Sequence, residues 1–173
     1  MLTANKEVKQ MNLTNNEIKE FLEEPKEFLD ERIVIPSNND FASYHGRGLN
    51  SNSDYLVDIN RKQCVITRIT FQNRVEVATI LLRLDIGTKP HRNPDGQRIG
   101  GTHLHIYREA YGTSWAYELN DPRILDFLPN FNSETISQAI AQDEHGTNKI
   151  PMFDEFSNIC HFRAHSRIYS PMF

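Results

Sequence analysis

Residues 101–109 read Gly101-Thr102-His103-Leu104-His105-Ile106-Tyr107-Arg108-Glu109. Successive side chains of an extended strand point to opposite faces. His103, His105, Tyr107 and Glu109 are therefore expected on one face, with Leu104 and Ile106 turned the other way onto a core. Just upstream, Pro90-His91-Arg92-Asn93-Pro94-Asp95-Gly96 is a turn-rich loop that feeds this strand. No other stretch gathers proton-transfer and ligand-bearing side chains so densely. Water-facing strand positions seldom need two histidines, so function is expected here.

Further upstream, alternating runs at Tyr55–Asn60, Cys64–Phe71 and Ile80–Ile86 are separated by short polar breaks, which predicts an antiparallel meander. One face is apolar throughout. The other carries Asp58, Asn60, Arg68, Arg83 and Asp85. Trp115-Ala116-Tyr117-Glu118-Leu119 is read as the last strand. Before the sheet, Thr14 and Glu17 form a capping box and Ile18, Phe21 and Leu22 an apolar stripe, which predicts a helix. Pro25 breaks it, with a second short turn expected through Phe28 and Leu29. Arg32–Pro36 reads as a short edge strand, and Ser37–Ser53 as a polar loop holding His45 and Arg47. After the sheet, Ile136, Ala139 and Ile140 mark one helix, and Met152, Phe153, Phe156 and Ile159 a packing segment. Arg163–Tyr169 is basic and aromatic, a tail expected to be ordered by a partner.

The resulting expectation is one α+β domain over residues 1–173: an N-terminal helix, an antiparallel sheet of about five strands with one polar face, and C-terminal helices. Within it, 1–31 form the helical N-terminal part, 54–119 the sheet core, 120–162 the helical C-terminal part and 163–173 the basic tail.

The chain has 173 residues and a formal net charge of -4, so it lacks the global basic field of a general duplex binder. A local basic patch remains compatible with RNA. Cys64 and Cys160 sit in no CxxC pattern, which points to free thiols in a reducing compartment. With no long apolar run and no hydrophobic signal region, a cytoplasmic, membrane-free protein is expected.

Asp58-Ile59-Asn60-Arg61, Leu81-Leu82-Arg83-Leu84-Asp85, His91 to Gly96, and His103 to Gly112 followed by Trp115-Ala116 together resemble the motifs of an uncharacterised bacterial family of unknown function. Ala110 stands where that family usually has glycine. The resemblance covers the middle third of the chain. It implies no activity and assigns no residue a role, but it suggests that the loop and the strand belong to one site.

Three readings of the site follow from its residue types. In the first, His103 and His105 are the acid/base pair of a metal-free ribonuclease, possible in a toxin–antitoxin system with a cognate inhibitor or antitoxin protein. Such a pair can take a proton from a ribose 2′-OH and return one to the leaving oxygen. Glu109 would orient or share the proton and Tyr107 would position the substrate. Arg83 and Arg92 would hold phosphate, with Arg68 and His91 beside them, and Tyr111 would stack on a base. No cofactor is needed. In the second, His103, His105 and Glu109 bind a divalent metal ion, since His-x-His-x-x-x-Glu resembles the first cupin motif. Against that, Gly96, Gly101 and Gly112 do not fall at cupin positions and no second motif is visible. In the third, the polar face and the tail are a non-catalytic interface for protein or nucleic acid. The ribonuclease is the reading preferred at this level.

Overall fold

The computed structural model describes residues 10–171. The first nine residues of the expected N-terminal helical part and the last two of the expected tail lie outside them. Helix α1 (Asn15–Glu23) starts where its capping box predicts. Thr14 Oγ1 accepts from the Glu17 amide, and the Glu17 carboxylate accepts from the Thr14 amide at 2.8 Å. Ile18 and Leu22 form its buried stripe.

The chain does not resume a helical turn after Pro25. Lys26–Phe28 is extended (β1) and opens the sheet. The buried ammonium of Lys26 donates back to the carbonyls of Leu22 and Glu24 and across to that of Cys160, at 2.7–3.2 Å. It thereby satisfies carbonyls at the helix end that would otherwise be orphaned.

The remaining elements are β2 (Ile33–Val34), β3 (Phe41–Gly48), β4 (Asp54–Asn60), β5 (Ile69–Val75), β6 (Thr79–Ile86), β7 (His91–Arg92), β8 (Arg98–Ile99), β9 (His103–Ile106), β10 (Ala116–Tyr117), a 3-10 turn (Pro122–Asp126), α2 (Ser133–Ala141), α3 (Ile150–Ile159) and β11 (Ile168–Tyr169). The main sheet has seven strands in the order β1-β3-β4-β5-β6-β9-β10, every pair antiparallel. The α+β architecture is as expected, with more strands than the alternation suggested.

The additional strands are β1, in place of the expected short turn, and β3, which lies in the expected polar loop Ser37–Ser53. The expected edge strand at Arg32–Pro36 is β2, outside the main sheet. The strand β3 has little alternation of its own, and its place is set by its neighbours. It pairs with β4 from Phe41 opposite Asn60 to Arg47 opposite Asp54, and with β1 on its other side. Its glycines reflect close packing. A Cβ at Gly46 would enter the Phe162 ring, and one at Gly48 the Glu24 carboxylate.

Along β5, Ile69, Phe71 and Val75 point inward and Thr70, Gln72 and Arg74 outward. The apolar face is covered by the helices. Phe156 of α3 stacks on Phe71 at 5.5 Å between ring centroids, and Phe153 lies 6.1 Å from it. The tail is held by its own chain rather than waiting for a partner. β11 pairs in parallel with β2, Ile33 and Ile35 donate to the carbonyls of Arg167 and Tyr169, and His165 packs edge-on against Phe28. No helix among the described residues is long and apolar enough to cross a membrane.

Candidate functional site

The site is built by strand register. Antiparallel pairing of β6 with β9 sets Arg83 opposite His105 and Asp85 opposite His103, and pairing of β5 with β6 sets Thr70 opposite Asp85. Residues paired across antiparallel strands share a face. Four chemically able side chains therefore form a block on the polar face, with Thr70 at its edge.

Loops close over this block and fix its rings. His103 Nδ1 donates to the Gly100 carbonyl at 2.6 Å, and His105 Nδ1 to the Thr113 carbonyl at 2.8 Å. Both Nε2 atoms turn toward Asp85 Oδ2, at 3.2 Å from His103 and 3.6 Å from His105. The other carboxylate oxygen accepts from Thr70 Oγ1 at 2.6 Å. Arg83 lies across the cluster, donating through Nε to Asp85 at 3.0 Å and through Nη2 to His105 Nε2 at 2.8 Å. His91 stands above, its Nε2 donating to the Ser114 carbonyl at 2.9 Å and its ring 4.7 Å from that of His105 and 5.8 Å from that of His103. The loop that presents His91 is anchored by Asn93, whose buried amide exchanges two hydrogen bonds with the Ala116 backbone.

Electrostatics follow from this packing. Burial, then the charge of Arg83, holds His105 near 3, so the ring is neutral with its lone pair on Nε2. Burial works to raise Asp85, but His103, Thr70 and Arg83 outweigh it and bring the carboxyl down to about 2. His103 is different, because both its ring nitrogens face oxygen acceptors. Acceptors on both sides call for two ring protons, or for a cation in place of one.

Exposure separates the histidines. His103 and His105 are only 2% and 1% exposed, whereas His91 is partly open to solvent. Cationic side chains rim the cluster. Arg68 and Lys89 line an open pocket of about 550 Å³ that has Thr70 and Asp85 in its wall, and Arg92 and Arg98 line a second one with His91. The first has room for a ligand of nucleotide size.

Of the residues singled out from sequence, His91, His103, His105 and Arg83 come together, and Arg68 and Arg92 lie on the rim. Tyr107, Glu109 and Tyr111 do not join them. β9 ends at Ile106, and the chain turns between Arg108 and Gly112, with Gly112 at φ +56°. Tyr107 is packed in the hydrophobic core and donates to the Met11 carbonyl at 3.3 Å. Glu109 instead accepts from the Asn15 amide at the start of α1, and its own amide donates to Asn15 Oδ1. Tyr111 is exposed and lies 5.2 Å from Trp115. The expected four-residue polar face is thus two histidines long, and Glu109 is not a partner of theirs.

Asp85 is the acid of the cluster, and sequence reasoning placed it on the polar face without assigning it to the site. Its signal is the alternation Arg83-Leu84-Asp85, but its pairing with His103 depends on a register set across the long connection from Gly87 to Thr102. A second polar network lies further along the same face. The buried Asp58 carboxylate accepts from Arg74 Nε at 2.7 Å and Nη2 at 2.8 Å, and from Gln72 and Ser43. The nearby Arg61 guanidinium donates to the carbonyls of Pro36, Ile66 and Gly146, a bracing role.

Residues 13–142 match the family described as "Family of unknown function (DUF6978)", and the chain belongs to that family. The match spans α1, the whole main sheet and α2, so it contains every residue of the cluster. No curated protein and no solved structure gives a match.

Proposed function

We propose that this protein is an enzyme acting on RNA, a ribonuclease of the toxin kind working in the cytoplasm, with its reaction centred where His91 overlies Asp85, His103 and His105. The observation that carries the reading is the concentration of Arg68, Arg83, Lys89, Arg92 and Arg98 around three histidines in a chain of net charge -4. A polyanion is the natural complement of such a rim.

Burial redistributes the roles expected from sequence. His91 is the histidine that can meet a substrate, with Nε2 tied to Ser114 and Nδ1 left as its acceptor. It takes the proton from the attacking ribose hydroxyl; the ribose 2′-oxygen bonds to phosphorus as the P–O5′ bond breaks, and the leaving 5′-oxygen takes a proton from solvent. Arg68 and Lys89 hold the phosphate, and Arg83 supplies positive charge from the floor. His103, His105 and Asp85 position that floor. Exposed Tyr111, beside Trp115, offers a face on which a base can stack.

A second reading is RNA binding without turnover. It is favoured by the engagement of both ring nitrogens of His103 and of His105.

The test is incubation of purified protein with total RNA, followed on a gel, beside growth of cells expressing it. The wild type should degrade RNA and arrest growth, and His91→Ala should lose about 100-fold or more of the cleavage rate. RNA left intact by the wild type overturns the enzyme, and RNA retained but uncut selects the binding reading.

A further inference from the structure

We propose that Asp85 Oδ2, His103 Nε2 and His105 Nε2 form a binding site for a divalent first-row transition-metal ion of the zinc, iron or cobalt kind, gated by Arg83. The inference deepens the reading above by naming a cofactor for the same cluster, but its test requires no RNA.

The donor geometry carries it. The ligand-bearing atoms of these residues lie within 4.8 Å of one another. The Oδ2–Nε2 separations are 3.2 and 3.6 Å. Donors bonded to one ion at about 2.0–2.1 Å sit about 2.8–3.0 Å apart at octahedral angles and about 3.3–3.4 Å apart at tetrahedral ones. A hydrogen-bonded cluster need not satisfy both pairs at once. Here a single carboxylate oxygen meets both imidazoles at near-coordination spacing.

The supporting shell has the same character. Metal-binding histidines almost always donate their other ring N–H to a carbonyl or carboxylate, which fixes the tautomer and aims the lone pair. Both histidines do this, into Gly100 and Thr113. The non-coordinating oxygen of Asp85 is held by Thr70, as a ligating carboxylate is typically held. Neutral imidazoles with one carboxylate suit borderline-soft transition ions better than Mg2+ or Ca2+, which prefer oxygen donors. A cation also answers the arrangement of His103, whose Nε2 faces a carboxylate while its Nδ1 already donates.

Arg83 gives the site its particular property. Its guanidinium touches two of the three donor atoms, Asp85 Oδ2 and His105 Nε2. A guanidinium and a metal ion cannot share those atoms, so binding requires Arg83 to swing away. Its side chain is 30% exposed, which leaves room to do so toward solvent. Arg83 therefore competes with the ion for its own ligands. Removing its charge should tighten binding, whereas removing any ligand should abolish it. His91, ring to ring with both ligand histidines, lies where it can meet a molecule bound to the ion.

The experiment is titration of chelator-dialysed full-length protein with Co2+, read by its visible absorption and by calorimetry, then competition with Zn2+. The wild type should bind one ion and develop a ligand-field spectrum. Arg83→Gln should bind at least tenfold more tightly, and Asp85→Asn and His103→Gln should lose the spectrum. Each variant is checked by circular dichroism. Because removing a buried ligand also removes hydrogen bonds of the fold, Arg83→Gln, which keeps every ligand, supplies the decisive arm. No Co2+ spectrum in either wild type or Arg83→Gln, or Arg83→Gln binding no more tightly than wild type, overturns the proposal. RNA cleavage that persists in chelator-dialysed wild type alongside a failed titration would remove the metal and leave the enzyme reading standing. A successful titration with uncut RNA would do the reverse.

Discussion

Arg83 Nη2 and His105 Nε2 meet at 2.8 Å, a guanidinium donating to a neutral imidazole across paired strands. Together with the Thr113 carbonyl on Nδ1, this uses both nitrogens of a ring that is only 1% exposed. His105→Ala should therefore act first on stability, because it leaves a buried carbonyl and part of a guanidinium without partners. The expected loss is about 2–4 kcal/mol, combining the cavity and the unmade hydrogen bonds. His91→Ala, at a partly exposed position, should cost under about 1 kcal/mol. Urea denaturation of both variants checks this, and equal losses would contradict the division between a buried floor and an accessible histidine.

Asp58 offers a comparison away from the histidines. Its carboxylate is a bidentate partner of Arg74 and also accepts from Gln72 and Ser43. Asp58→Ala should destabilise the fold by about 2–3 kcal/mol, at or below the usual cost of breaking a buried pair because Arg74 keeps some access to water. Co2+ binding should be unchanged. Loss of the metal spectrum in a folded Asp58→Ala protein would show that the two polar networks are coupled.

Gly101 tests how the loop supports the site. A Cβ at this position would be driven into the Thr88 carbonyl oxygen, a backbone atom that cannot turn aside. Thr88 in turn donates from its amide and hydroxyl to the Gly101 carbonyl. Gly101→Ala should cost about 1–3 kcal/mol by overpacking and displace the neighbouring Gly100 carbonyl from His103. The combined signature is a lower thermal midpoint with weaker Co2+ binding. An unchanged midpoint would mean that the loop shifts freely.

Lys26 provides the pH prediction. Burial draws its ammonium down to about 8 from an ordinary 10.5. Between those values the unfolded chain holds a proton that the folded chain has released, so stability should rise with pH. Above pH 9 the opposite contribution of Cys160 begins, because burial pushes that thiol up to about 12 from 9. The clean window is pH 8 to 9, where Lys26 should add about 1 kcal/mol. Lys26→Met should lack this slope in denaturation curves measured across the window. Parallel curves would mean that the three carbonyls hold the ammonium charged.

What could be read from sequence was local. The start of α1 lies in two residues, Thr14 and Glu17, whose bonds span one helical turn. The inward positions Ile69 and Phe71 of β5 follow from the alternation read over Cys64–Phe71. The strand itself starts only at Ile69 and runs through the expected polar break at Gln72–Arg74 to Val75, because pairing with β4 and β6 continues there. β3 escaped because its residues carry no apolar period, and only the flanking strands make them a strand. In the site, His103 and His105 share a face by their spacing alone. Extending that face to Tyr107 failed because the strand ends at Ile106. Asp85 needed the register between β6 and β9, a long-range quantity that no local spacing encodes.

Every imidazole in the cluster takes its orientation from main chain: His103 from Gly100, His105 from Thr113 and His91 from Ser114. A peptide carbonyl is the one acceptor that side-chain replacement cannot delete. The positions of the ring protons are consequently insulated from point substitution at residues 100, 113 and 114, provided the chain keeps its path. The vulnerability moves to the residues that steer that path, among them Asn93, Gly101 and Gly112. A change at any of these would re-address the protons without touching a single histidine.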